Sequence, residues 1–213
     1  MDAIFSSFGA IDWLEVLFSV PALLIALTFH EFCHGLAATA LGDNTPRLQG
    51  RLSLNPLRHL DAAGTVMLFL FKFGWAKPVM VNPLRFRVNR KLGMAIVGLA
   101  GPLANLVMAV LAAYCMKFID GGTIPFNPYF YTFFYMLMVY NVYLAVFNIL
   151  PIPPLDGSKI VAAIIPASWA DIIYSNTQLF MLLLVLFTVT GYVGQLMTPL
   201  VGWGYYLVNL LVI

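Results

Sequence analysis

Apolar residues fall in long blocks along this chain, without the one-sided or alternating patterns of a fold that faces water. Trp13 to Leu41 predicts one helix, roughly 43 Å long at about 1.5 Å per residue, with Pro21 inside it. Its apolar stretch Leu14 to Phe29 carries a single charge, Glu15, and Gly42-Asp43-Asn44-Thr45-Pro46 reads as its stop. Leu92 to Ile119 predicts a second helix. Tyr129 to Leu150 predicts a third, charge-free throughout and ended by Pro151-Ile152-Pro153-Pro154, which cannot continue a helix. After Asp171 no charge remains, and Ile172 to Ile213 has room for two helices with a break around Gly191 to Gly194. Helices that are apolar all round for about 20 residues match the thickness of a bilayer.

Residues 43 to 91 differ in kind. They hold Arg47, Arg51, Arg58, Lys72, Lys77, Arg85, Arg87, Arg90 and Lys91, so that only Lys117 and Lys159 of the 11 basic residues lie elsewhere. A loop this basic is expected on the cytosolic side, which puts the N-terminus outside. Thr65 to Phe71 inside it is apolar but too short to cross, and is expected to be re-entrant, strand-like or interfacial.

Composition agrees: 62% of the 213 residues are hydrophobic and 9% charged, against about 25% charged in an ordinary soluble domain. The expectation is an all-α, multi-pass membrane protein. It would be a polytopic helix bundle of about five to six membrane segments, with a short re-entrant or strand-like element in the cytosolic-side loop. It would form a single membrane-embedded domain over residues 1–213, with a core at about 13–160 and C-terminal helices at about 172–213. No cleavable signal peptide is expected, since residues 1–12 hold Asp2 and Asp12 but no Lys or Arg. Cys33 and Cys115 both lie in apolar runs and suggest no disulfide framework. No internal repeat stands out, and nothing points to nucleic acid.

The chemistry is concentrated in His30-Glu31-Phe32-Cys33-His34, near the cytosolic end of the first helix. Residues four apart share a helix face, so both imidazoles can reach one metal ion, and Glu31 can accept a proton from water held there. The bland alternative is a pair of buried histidines hydrogen-bonded to backbone. Three ionisable side chains within five residues of an apolar helix weigh against it, because such groups are costly in lipid. A hydrolytic zinc needs three protein ligands and an open position. Asp156 is the best-placed third ligand: it follows the proline break, reaches the same side as the histidines, and adjoins Gly157. Its other reading is the cap of a short helix starting near Gly157. His59 and Asp61 read as surface or loop-bracing groups, and Cys33 as a small packing residue. Asn141 reads as an interhelical hydrogen-bonding amide. Asn148 either does the same or donates to substrate near the scissile carbonyl. Gly101, Pro102 and Asn105 read first as a close-packing, locally bent helix face, with a site-bordering amide as the sharper alternative.

These residues resemble a known family. His30-Glu31-Phe32-Cys33-His34, Gly101-Pro102-x-x-Asn105 and Asn148 through Gly157 are similar to the three signatures of site-2 proteases, which are intramembrane zinc metalloproteases. Gly50 to Leu57 and Gly74 to Val79 with Asn82-Pro83 look like its compact bacterial and archaeal branch, without PDZ or sensor domains. The likeness covers about residues 20 to 160. Departures are Cys33, Ala62-Ala63 and a short stretch between Asp61 and Trp75. The resemblance implies a three-helix catalytic core with one Zn2+ per chain on His30, His34 and Asp156. Glu31 would be the general base and Asn148 would lie at the scissile bond. The segment from Trp75 to Val81 would be a strand against which an unwound substrate pairs. Substrates would be membrane proteins cut in or near their transmembrane segments, and the bilayer the surroundings. A metal transporter would use similar ligands but needs further polar residues leading outward, which the later helices lack. A prenyl-protein protease would complete its site with a second Glu, and the only one here, Glu15, lies near the opposite end.

Overall fold

The computed structural model describes residues 13–61, 64 and 76–212. The first helix, α1 (Trp13–Ala40), stops just before Gly42-Asp43. A one-turn helix α2 (Thr45–Leu48) and two 3-10 turns (Pro56–Arg58 and Pro83–Arg85) lie along the basic connection. Then come α3 (Arg90–Asp120), α4 (Pro128–Asn148), α5 (Asp156–Ile164), α6 (Ala167–Ser175), α7 (Thr177–Val189) and α8 (Tyr192–Val212). The bounds of α1, α3 and α4 fall within two residues of the apolar blocks that predict them. Each is stopped by the polar or glycine- and proline-bearing sequence that interrupts its block. Asn89 and Asn127 cap α3 and α4, each accepting two backbone N–H groups of the first turn.

Three of these helices are long and apolar enough to cross a membrane, and α6 with α7, bent by 60° at Asn176, would make a fourth. That compares with the five to six segments suggested by the sequence. The break at Asn176 is not visible in the apolar run, whereas that at Gly191 is. The apolar stretch Thr65–Phe71 lies outside the described residues, as does Trp75. Of the expected strand, Ala76 makes one isolated antiparallel bridge to Leu60, and residues 77–82 have no regular strand.

The helices pack through small residues. Ala22 of α1, Ala112 of α3 and Leu137 of α4 form one buried cluster, and Ala109, Ala113, Val142 and Val208 join α3, α4 and α8 in another. Alanines at the contacts let backbones approach closely, which is how helices associate without a hydrophobic drive between them. At one end, Phe18 of α1 stacks on Tyr129 at the start of α4, so these two helices run the same way. Helix α8 starts at the other end, where Val193 packs with Leu155. It finishes where Lys117 Nζ and Tyr114 Oη donate to the Val212 and Leu211 carbonyls. It therefore runs alongside α3 from one end of the bundle to the other.

The candidate metal centre

Three side chains that are far apart in the sequence meet between α1, α3 and the start of α5. His30 Nε2 and His34 Nε2 are 3.0 Å apart, and Asp156 Oδ2 is 3.1 Å from the first and 3.0 Å from the second. All three residues are buried. Asp156 is the first residue of α5, and Leu155 occupies the N-cap position without a side-chain cap bond. The Asp156 carboxylate is therefore turned to the histidines, not used as a helix cap.

Hydrogen bonding fixes which atoms face the centre. Asn105 Nδ2 donates to the Ala26 carbonyl at 3.1 Å and to Asn141 Oδ1 at 2.8 Å, and Asn141 Nδ2 donates to the Leu137 carbonyl at 2.8 Å. Carbonyls only accept, so both amides have one permitted orientation, and Asn105 Oδ1 must accept from His30 Nδ1 at 2.6 Å. His34 Nδ1 likewise donates to the Val97 carbonyl at 2.6 Å. With their N–H groups committed on the far side, both Nε2 atoms present lone pairs to each other and to a carboxylate oxygen. Three lone-pair atoms about 3 Å apart repel unless a cation sits among them. Zinc bonds of about 2.0–2.2 Å to nitrogen and oxygen suit that spacing, so the donor set fits the ion. Lys159 Nζ, at 2.7 Å, occupies Asp156 Oδ1 and leaves Oδ2 as the inward-facing oxygen.

The backbone makes room for this. A Cβ on Gly101 would stand 2.5 Å from His34 Nε2 and 2.6 Å from His30 Cε1, so only glycine lets α3 pass behind the two rings. A Cβ on Gly157 would collide with the Ile149 carbonyl, and that close approach folds the proline-rich link back so that Asp156 reaches α1. Pro102, buried beside Gly101, lacks the N–H that the Gly98 carbonyl would normally receive.

Glu31 is half-buried, and its Oε2 accepts the backbone N–H of Val79 at 3.1 Å. That bond draws the irregular stretch after Ala76 across the histidine motif. Asn148 Nδ2 donates to the Leu144 carbonyl one turn back in α4, so its amide is engaged within its own helix. His59 is buried, with Nε2 donating to the Ser53 carbonyl, and Asp61 accepts the Gly64 N–H; both brace the loop. Sequence reading assigned no site role to the Val97 carbonyl, Asn141 or Lys159, and placed Val79 in the substrate-pairing segment without its contact to Glu31. Lys159 had a usable signal, a cation three residues after a candidate ligand in a helix. A backbone carbonyl or amide leaves no signal in side-chain identity.

Comparison with known proteins points the same way. Residues 119–191 match peptidase family M50. YwhC of Bacillus subtilis, named as a candidate zinc metalloprotease, is 35% identical over 190 residues, covering 87% of this chain and 86% of that protein. Rip2 of Mycolicibacterium smegmatis is 34% identical over 142 residues, and Rip2 of Mycobacterium tuberculosis 31% over 144. Both carry the same kind of name, and in both cases the match spans 65% of this chain and only 53% of the longer relative. No solved structure matches the chain. An H-E-x-x-H helix, a distant aspartate completing a three-donor centre, and a relative matched nearly end to end place this chain in peptidase family M50, the site-2 protease family of zinc metalloproteases.

Proposed function

We propose that this protein cuts peptide bonds in or near the transmembrane segments of other membrane proteins. The observation that carries the reading is the meeting of His30, His34 and Asp156 between apolar helices, with Glu31 on the neighbouring flank. His30, His34 and Asp156 are assigned as the ligands of one zinc ion. When bound, zinc supplies Lewis acidity, lowering the pKa of a water toward about 7 and polarising the scissile carbonyl.

The chain's own groups do the rest. Glu31 takes the proton from the attacking water and later gives it to the leaving amine. The Val79 amide holds Oε2, which leaves Oε1 as the oxygen free to work. Asn148, at the end of α4, is assigned to the substrate side, where its amide would exchange the Leu144 carbonyl for the strained peptide. Asn105, Gly101 and Pro102 border the site, Asn105 by orienting His30. A substrate helix hides its carbonyls in i to i−4 hydrogen bonds, so it must unwind locally before attack. The backbone around Val79, which belongs to no regular strand, is assigned as the edge for such a segment.

The seven basic residues of the connection between α1 and α3, with Arg90 and Lys91 opening α3, support a cytosolic position for it, with the N-terminus outside. His34 lies six residues before the end of α1, roughly 9 Å below that surface. The function is tested by assaying purified Glu31→Gln against a membrane-protein substrate while measuring zinc content. Zinc should stay bound and turnover should fall by at least about 100-fold, the scale of a lost general base. Turnover near the wild-type rate would remove Glu31 from the mechanism.

A further inference from the structure

The connection between α1 and α3 contains a construction repeated three times. Asn44-Thr45-Pro46-Arg47-Leu48, Asn55-Pro56-Leu57-Arg58 and Asn82-Pro83-Leu84-Arg85 each fold as one helical turn that follows an asparagine and has proline in its first two positions. In the second and third, which are identical tetrapeptides, the asparagine side chain accepts the leucine N–H at 3.0 and 3.1 Å. The sequence reading passed over this short repeat. Each turn pairs an arginine with a leucine left bare: Leu48 is 78% exposed, Leu57 73% and Leu84 68%. Bare leucines beside arginines form neither a folded core nor an ordinary polar surface.

Position and charge say what covers them. All three turns lie at the end of the bundle where α1 stops and α3 starts. The buried Asp43 carboxylate ties the first to the third, accepting from Thr45 Oγ1 at 2.5 Å, Thr45 N at 2.9 Å and Asn82 N at 2.6 Å. Those three bonds engage both Asp43 oxygens, and Arg85 acts on the carboxylate through its charge without a salt bridge. Among the described residues the salt bridges all involve Asp156, so Arg47, Arg58 and Arg85 have no carboxylate salt-bridge partner there. Residues 43 to 91 carry nine basic residues against Asp43 and Asp61. A cationic, leucine-tipped surface at the edge of a membrane bundle complements an anionic headgroup layer, with leucines below the phosphates and guanidinium groups among them.

We propose that the three turns are feet that seat this end of the protein in anionic phospholipid, each placing one leucine in the acyl region and one arginine on lipid phosphate. The proposal rests on reading the chain as membrane-embedded with this end at the cytosolic leaflet, and it does not depend on proteolysis.

The test uses the full chain, as Glu31→Gln, in non-ionic detergent. It is titrated with phosphatidylglycerol or phosphatidylcholine, and bound lipid is counted by native mass spectrometry. Phosphatidylglycerol should bind more tightly, and more weakly as salt rises. Replacing Arg47, Arg58 and Arg85 together by Gln should weaken its binding on the order of 100-fold, from about 1 kcal/mol per basic residue. The matching Lys variant should retain binding. Replacing Leu48, Leu57 and Leu84 by Ser should also weaken binding of the lipid. Equal binding of the two lipids, or an unchanged preference in the Gln variant, overturns the proposal. So does competition by inorganic phosphate as strong as that by the lipid. If Glu31→Gln cleaves as wild type while the lipid preference holds, the catalytic reading fails and this one stands.

Discussion

The proposed metal donors His30 and His34 are oriented by what their other nitrogens do. The His30 proton sits on Nδ1 because two backbone carbonyls, Ala26 and Leu137, orient the Asn105 and Asn141 amides so that Asn105 Oδ1 receives it. Removing Asn105 takes away the acceptor that selects this tautomer and holds the ring. Asn105→Leu, close in size, should therefore lower zinc affinity or cleavage by about 10–100-fold, the usual cost of losing an outer partner of a metal ligand. Zinc competition with a chromogenic chelator reads the affinity, and circular dichroism checks that the helices remain. An unchanged affinity would mean that α1 alone fixes the histidines. At this scale the sequence singled out the three residues that the fold brings together, because ionisable groups in an apolar helix are rare. It was poor on their partners: Asn141 read as an ordinary interhelical amide, which it also is, and nothing in residue identity marks the Val97 carbonyl.

Among elements, the apolar blocks located α1, α3 and α4 almost to the residue, since lipid and polar turns leave little choice about where such helices end. The Asn176 bend and the path after Ala76 were not legible, because both are set by tertiary contacts. Asp43 is an example: it joins the end of α1 to the start of the third turn, across 39 residues of chain. Burial alone would raise its carboxyl. Hydrogen bonds from Thr45 Oγ1, the Asn82 amide and the Thr45 amide, with the charge of Arg85, outweigh this and hold it below its ordinary value of 3.8. A carboxyl depressed by folding stabilises the fold fully above its unfolded value, and that contribution is lost as pH falls through the folded one. Asp43→Asn should thus be less stable than wild type at pH 7, by about 2 kcal/mol for bonds to a charged acceptor. The gap between the two melting temperatures should close below about pH 4. A gap that is the same at pH 7 and in acid would show that the charge of Asp43 does not contribute.

Over the whole molecule, the proposed metal centre is a joint between segments that otherwise touch mainly through small apolar side chains. Helix α1 brings two donors, the proline break after α4 brings the third, and α3 supplies no donor but gives the acceptors and the gap at Gly101 that let the others meet. Without a cation the three lone pairs repel one another until protons are taken up in its place, so the metal-free protein loses the joint that the ion would make. Zinc held by these three residues would bind the folded arrangement and find no such assembled set in the unfolded chain, and so would stabilise the fold by mass action, about 2.7 kcal/mol at a free concentration 100 times Kd. Chelation of the purified protein should accordingly lower its melting temperature by several degrees, and added zinc should restore it. Asp156→Ala, which keeps the histidines but leaves two donors, should melt lower at the start and respond little to either treatment. Thermal melts followed by circular dichroism, with metal content measured alongside, check this. If wild type loses its zinc without any fall in melting temperature, the centre is a passenger on a bundle that the apolar contacts already hold, and the catalytic geometry owes nothing to the ion.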